Sequence, residues 1–126
     1  MKLHHVGIAC KNIDTEISNI SKINQIVEQS AVLFDELQNA EVVLLSLADG
    51  TKIELVSGKQ VETFVKMNIS YYHLCFEVDD LDAEIDRLIK DRALLLSAPK
   101  PAILLNSRRV AFLKVSYGIV ELLSSK

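Results

Sequence analysis

Apolar residues recur along the chain with two different periods, and each period predicts one kind of secondary structure. Segments in which apolar residues alternate with small or polar ones, or run nearly unbroken, predict β-strands. Segments with apolar residues three and four positions apart predict α-helices. The predicted strands are residues 3–10, 41–48, 51–56, 71–78, 94–97, 110–115 and 119–123, with a further extended stretch at 25–34.

Polar and turn-forming residues set the expected ends of these elements. An asparagine or aspartate before an apolar periodic segment can cap the first turn of a helix, and two segments begin this way. Pro99 and Pro101 predict that the strand 94–97 ends before them, because proline cannot donate a ladder hydrogen bond. The capping and turn residues are Asn12 or Asp14 for the first helix, Asp79 and Asp80 for the second, and Asp49-Gly50 for a hairpin.

The order of predicted elements occurs twice, as two β-α-β-β-β modules. His5 and His73 begin equivalent strands and lie 68 positions apart, while Glu54 and Glu121 lie 67 positions apart in equivalent late strands. A repeat of this kind predicts two similar units that bury their apolar faces together. We therefore predict an α+β fold with one domain over residues 1–126, made of module one at about 1–57, a connector at 58–70 and module two at about 71–126.

The matched histidines and glutamates are candidate ligands for one divalent metal. Two imidazoles and two carboxylates form a suitable donor set for nickel, cobalt, manganese, zinc or iron, and the sequence does not choose among these ions. The alternative is that His5 and His73 are packed strand histidines and that Glu54, two positions after Lys52, faces the solvent. A glutamate between apolar strand residues must be either solvent-facing or paired, because burial of a lone carboxylate is costly.

Composition narrows the function classes. The chain has 126 residues, 49% of them hydrophobic, and a formal net charge of −3. No basic cluster suggests a nucleic-acid partner, and no apolar stretch approaches the roughly 20 residues of a membrane span. The N-terminus has no apolar region typical of a signal peptide, and Cys10 and Cys75 lie in apolar strands, so we expect reduced thiols and a cytoplasmic protein.

Motifs spread over nearly the whole chain have counterparts in one known superfamily. The sequence resembles the vicinal oxygen chelate superfamily, which includes glyoxalase I and methylmalonyl-CoA epimerase. The resemblance implies paired βαβββ modules that curl into a cleft, with metal positions at His5, Glu54, His73 and Glu121. The motifs are His5-Val6-Gly7-Ile8-Ala9, Thr51-Lys52-Ile53-Glu54-Leu55, His73-Leu74-Cys75-Phe76-Glu77, Arg108-Arg109-Val110-Ala111-Phe112-Leu113 and Gly118-Ile119-Val120-Glu121-Leu122.

One stretch departs from the epimerase pattern. Epimerases of this superfamily carry Pro-Glu-x-Gly-Val before the third strand, and its glutamate is one of two acid/base groups. The aligned stretch here is residues 36–40, where Leu37 occupies the position of that base and Glu36 is one residue away. A shift of one residue in a strand turns a side chain to the other face. Two-base epimerisation is therefore not expected, whereas proton abstraction by one base is.

The resemblance and the candidate ligands predict a metal-dependent isomerase or lyase of glyoxalase type. Glu121 or Glu54 would act as general base next to a chelated carbonyl, on a 2-oxoaldehyde–thiol adduct or an acyl-thioester. Arg108 and Arg109 either bind an anionic tail of the substrate or are surface charges. The alternatives are a metal-free protein that binds a small molecule such as a drug, and an extradiol-type dioxygenase. We expect a homodimer, with the site inside one chain or across the dimer.

Overall fold

The computed structural model describes residues 1–126 and contains nine strands and three α-helices. None of the helices has the length and apolar character needed to cross a membrane. The strands are β1 (Lys2–Ala9), β2 (Ile26–Gln29), β3 (Leu33–Asp35), β4 (Ala40–Leu47), β5 (Lys52–Gly58), β6 (Tyr71–Val78), β7 (Leu94–Pro101), β8 (Arg109–Val115) and β9 (Gly118–Ser124), and the helices are α1 (Ile13–Ser21), α2 (Glu62–Lys66) and α3 (Leu81–Lys90).

The chain divides into two compact units. The first unit consists of His5–Tyr72, and the second consists of His73–Lys126 together with Met1–His4. The boundary at residue 72 lies close to the predicted start of module two. The predicted connector, 58–70, contains α2 and the 3-10 turn before it, and both belong to the first unit. The division into module one, connector and module two stays a prediction.

The first unit is a sheet with a helix on one face. Its strands follow the order β2-β4-β5-β1, and β3 also pairs with β4. Strands β1 and β5 are parallel, with Gly7 opposite Glu54, while β4 and β5 form an antiparallel hairpin. Asn12 begins α1 as expected, since its side chain accepts a hydrogen bond from the Thr15 amide at 2.9 Å. The apolar core between α1 and the sheet contains Cys10, Ile13, Val43, Leu45 and Leu55.

The second unit repeats this arrangement. Its strands follow the order β6-β9-β8-β7, with β6 parallel to β9 and the two remaining pairs antiparallel. The Asp80 side chain caps α3 by accepting a hydrogen bond from the Ala83 amide at 3.1 Å. Apolar residues of α3 pack on the sheet, and the buried core consists of Val78, Leu81, Ile85, Ala111, Leu113, Val120 and Leu122.

The predicted α+β fold is confirmed, with two differences in detail. The extended stretch at 25–34 is two short strands, β2 and β3, which pair with different parts of β4. The prediction that the strand 94–97 ends before Pro99 was wrong, because β7 continues to Pro101. Strand β7 is the last strand of its sheet, and an edge strand tolerates proline where no neighbour needs the missing N–H. Its register against β8 shifts between Leu95 and Ser97 and again between Ser97 and Lys100.

Candidate functional site

The first unit carries a buried histidine–glutamate pair on the sheet face opposite α1. Because Gly7 lies opposite Glu54 and strand side chains alternate, His5, two residues before Gly7, shares the face of Glu54. The Nε2 atom of His5 lies 3.5 Å from Oε1 of Glu54. The two residues are only 1% and 4% exposed. The solvent-facing alternative for Glu54 is therefore wrong.

The second unit carries an equivalent pair. Cys75 lies opposite Glu121 in the parallel pair β6–β9, so His73, two residues before Cys75, lies on the same face. Nε2 of His73 is 3.2 Å from Oε1 of Glu121, and the residues are 4% and 2% exposed. The rings of Phe112 and His73 pack in a T-shaped arrangement, with centroids 5.3 Å apart and an interplanar angle of 87°. This contact restricts the orientation of the histidine.

The spacing within each pair suits two ligands of the same metal ion. Nitrogen and oxygen ligands lie about 2.1 Å from such an ion. For angles of about 90–110° between ligands, these distances place the two donor atoms about 3.0–3.4 Å apart. The 3.5 Å separation of His5 and Glu54 and the 3.2 Å separation of His73 and Glu121 are close to this interval. Each pair therefore fits as half of a metal site.

The two arginines are held by carboxylates of the second unit. The Arg108 guanidinium donates to the Glu77 carboxylate and, through Nε, to the carbonyl oxygen of Ser124 at 2.8 Å. The hydrogen bond from Arg108 is the main reason why the pKa of Glu77 lies below its ordinary value. Arg109 is exposed and lies 3.3 Å from a carboxylate oxygen of Asp82. Substrate binding by either arginine stays a prediction.

The stretch that aligns with the epimerase base, residues 36–40, begins in a turn that is stabilised by hydrogen bonds to Asp35. Leu37 is 59% exposed, and Glu36 is exposed as well. Asp35, 3% exposed, accepts hydrogen bonds from the Leu37 amide at 3.0 Å and from Nε2 of Gln38 at 2.8 Å. Asp35 was not among the predicted functional residues, although an aspartate that accepts a hydrogen bond from the amide two residues later is typical of turns. The Asp35 carboxylate therefore stabilises the turn.

Two further polar residues on the face of Glu54, Lys52 and Ser46, were not predicted as part of the site. Lys52 precedes Glu54 by two residues in β5, and Ser46 lies opposite Lys52 in β4. The alternation of side chains in β5 was sufficient to place Lys52 on this face once Glu54 had been selected, whereas Ser46 is placed there by the register of β4 against β5. The face therefore offers an imidazole, a carboxylate, a hydroxyl and an ammonium group.

Comparisons with known proteins agree with this description. The ethylmalonyl-CoA/methylmalonyl-CoA epimerase of Cereibacter sphaeroides is 28% identical over 118 residues, which cover 89% of this chain and 87% of that protein. The crystal structure of methylmalonyl-CoA epimerase from Mycobacterium tuberculosis has a TM-score of 0.79 at 20% identity and covers 99% of this chain and 88% of that one. A hypothetical protein from Bacillus halodurans C-125 has a TM-score of 0.78 at 19% identity, covering 99% and 94%. These two structures share the fold.

The model of one protein family spans most of the chain. It is described as the glyoxalase/bleomycin resistance protein/dioxygenase superfamily, and it matches residues 4–112. The match includes His5, Glu54 and His73. The resemblance seen in the sequence motifs is thus confirmed, and the chain belongs to the glyoxalase/bleomycin resistance protein/dioxygenase superfamily.

Proposed function

We propose that this protein is a divalent-metal-dependent isomerase or lyase that moves a proton on the carbon next to a chelated carbonyl. The observation that carries the proposal is the pair of buried histidine–glutamate contacts, at 3.5 Å and 3.2 Å, in equivalent positions of the two units. His5, Glu54, His73 and Glu121 would together hold one ion. When bound, the ion would supply Lewis acidity to the carbonyl oxygen of the substrate.

The burial of both glutamates supports this function over metal-free binding of a drug-like molecule. A binding cleft without metal has no use for two carboxylates placed next to imidazoles, because burial of a carboxylate costs free energy unless a cation or donor compensates it. Glu54 and Glu121 are 4% and 2% exposed. A fourth candidate ligand also distinguishes the set from the two histidines and one carboxylate of non-haem iron oxygenases.

One carboxylate of the set would act as the general base. Glu121 or Glu54 would take the proton from the substrate carbon and return it to a neighbouring atom, which is sufficient for an isomerase or lyase. Inversion at the same carbon needs a second group on the opposite face. Leu37 carries no such group, and Glu36 is exposed in the turn. The proposal is therefore a one-base reaction.

The substrate would be an acyl-thioester or the adduct of a 2-oxoaldehyde with a thiol. In both, a carbonyl oxygen lies beside a second oxygen or sulfur substituent and an acidic C–H. The curated relative is named for its action on ethylmalonyl-CoA and methylmalonyl-CoA. This name supports the thioester as the first substrate to test.

The test is exchange of the substrate proton with deuterated water, followed by proton NMR. Cobalt-loaded protein is mixed with methylmalonyl-CoA and, separately, with the glutathione adduct of methylglyoxal. We expect catalysed exchange of at least one of them, and we expect EDTA or Glu121→Gln to abolish it. Glu41→Gln, which changes an exposed carboxylate of β4, is the control and should leave the rate unchanged. Exchange that survives both EDTA and Glu121→Gln would refute the proposal.

A further inference from the structure

The ammonium group of Lys52 is presented by the same strand and face as Glu54. Residues two apart in a strand point to one face, with Cα atoms about 7 Å apart. The residues between and after them, Ile53 and Leu55, point to the other face and pack with the core under α1. His5 lies on the face of Glu54, in the adjacent strand β1. Lys52 is thus a direct neighbour of the His5–Glu54 pair.

The surroundings of Lys52 give its charge no protein partner. Lys52 is half-buried, and it is absent from the ion pairs of the structure, whereas Lys66 lies 3.0 Å from a carboxylate oxygen of Glu62. The residue opposite Lys52 is Ser46, whose hydroxyl is uncharged. The Lys52 ammonium therefore lies beside the proposed metal ligand Glu54 without an ion pair of its own. An anionic group of a ligand held at this face would supply a charged partner for it.

We propose that Lys52 is a positioning residue that binds the free carboxylate of a 2-carboxyacyl thioester, the malonyl type of substrate. The inference rests on the proposed function and narrows its substrate class. If the thioester carbonyl binds at the His5–Glu54 pair, a carboxylate on the next carbon would lie over the face that carries Lys52. An ammonium–carboxylate contact is a strong, charge-assisted hydrogen bond. Simple acyl thioesters and thiol adducts of 2-oxoaldehydes have no carboxylate on the reacting carbon and would not use Lys52.

The experiment compares two thioesters that differ only in this carboxylate. Malonyl-CoA and acetyl-CoA are titrated by calorimetry into the cobalt-loaded wild type, Lys52→Met, Lys52→Arg and Lys90→Met. Because both ligands carry the same CoA phosphates, contacts with those phosphates cancel in the comparison. The control Lys90 is an exposed lysine at the end of α3.

We expect the wild type to bind malonyl-CoA about tenfold more tightly than acetyl-CoA, as one charge-assisted hydrogen bond would provide. Lys52→Met should remove this preference and leave acetyl-CoA binding unchanged, Lys52→Arg should restore most of it, and Lys90→Met should have no effect. If Lys52→Met does not fold, Lys52→Gln gives the same comparison.

Two results would overturn the assignment. A Lys52→Met or Lys52→Gln protein that keeps the wild-type preference for malonyl-CoA, or that loses affinity for both thioesters equally, would show that Lys52 does not bind the carboxylate. The proposed function would be unaffected by either result. A wild type that binds neither thioester in the presence of cobalt would instead refute the thioester form of the proposed function, and the role of Lys52 with it.

Discussion

Replacing Glu121 by glutamine should separate the stability of the metal-free protein from the stability that metal adds. Glu121 is 2% exposed and lies 3.2 Å from Nε2 of His73. Glutamine has nearly the same size, and it removes the cost of burying a carboxylate. At pH 8, where an ordinary imidazole is neutral, Glu121→Gln without metal should be within about 1 kcal/mol of the wild type or more stable.

With metal present, the wild type should be more stable than Glu121→Gln. An ion at 100 times its Kd stabilises the folded wild type by about 2.7 kcal/mol. For a domain of this size, that free energy raises Tm by about 10 °C. Glu121 is one of the four proposed ligands. Mutation of a residue that only supports a metal ligand typically weakens metal binding about 10–100-fold, so loss of a ligand itself should weaken it at least ~100-fold. At the same metal concentration, Glu121→Gln would then gain only about 0.4 kcal/mol, or about 1–2 °C.

Thermal unfolding followed by circular dichroism, with and without cobalt, measures both quantities. Glu41→Gln is the matched control and should show the full increase in Tm. An increase in Tm with cobalt that is as large for Glu121→Gln as for the wild type would refute the role of Glu121 as a metal ligand. A loss of more than about 3 kcal/mol in the free energy of unfolding of metal-free Glu121→Gln would also refute this role, because the Glu121 carboxylate would then be needed to stabilise the fold.

Three further predictions concern other parts of the molecule. Arg108→Ala should lower the free energy of unfolding at pH 7 by about 1 kcal/mol. Because Arg108 lowers the folded-state pKa of Glu77, this stabilisation is complete above the unfolded-state pKa of about 4.3 and is lost progressively as the pH falls towards the folded-state value, and urea titrations should show the difference shrinking there. Burial, and secondarily the charge of Glu16, raises the pKa of the Cys10 thiol to about 11. Alkylation of Cys10 by iodoacetamide at pH 8, quantified by peptide mass spectrometry, should therefore be at least ~100-fold slower in the folded protein than in urea. Because Leu37 supplies no second base, exchange of the α-proton of methylmalonyl-CoA should be at least ~10-fold faster than inversion, and equal rates would contradict this.

The sequence predicted the elements whose local patterns and tertiary contacts agree. Strand β6 has the predicted limits, Tyr71–Val78, and Asp80 caps α3, whose periodic residues Leu81 and Ile85 are buried. In these segments the residues that carry the apolar period are the residues that are buried in the structure. The local pattern was therefore sufficient to predict the element. The same holds for Asn12 at the start of α1.

Elements whose limits depend on neighbouring strands were predicted less well. Pro99 was expected to end a strand, yet β7 accommodates it because no strand pairs along its other edge in the second unit. The stretch 25–34 has an extended composition, but its division into β2 and β3 depends on Ser30. The hydroxyl of Ser30 accepts a hydrogen bond from the Leu44 amide at 2.9 Å, and its own amide donates to the Leu44 carbonyl. Such long-range bonds are invisible in a local pattern.

The candidate site also has features that the sequence predicted and features that depend on strand register. The repeat selected His5, His73, Glu54 and Glu121, because equivalent residues in two modules are brought to equivalent places. The burial of Glu54 could not be deduced, since its own sequence neighbours allow either face of β5 to be exposed. The register of β5 against β1 and β4 determines which face of the sheet the Glu54 side chain occupies. Lys52 then shares the face of Glu54, because it lies two residues before it in the same strand.

The central claim, that both histidine–glutamate pairs serve a single ion, is tested most directly by metal stoichiometry. The wild type, His5→Ala and His73→Ala are loaded with cobalt, dialysed and analysed for metal per chain. One ion per chain is expected for the wild type, whether the site forms inside a chain or across a dimer, and little or none for either variant. Two ions per wild-type chain, or a full equivalent retained by one of the variants, would show that the pairs act separately and would contradict the account.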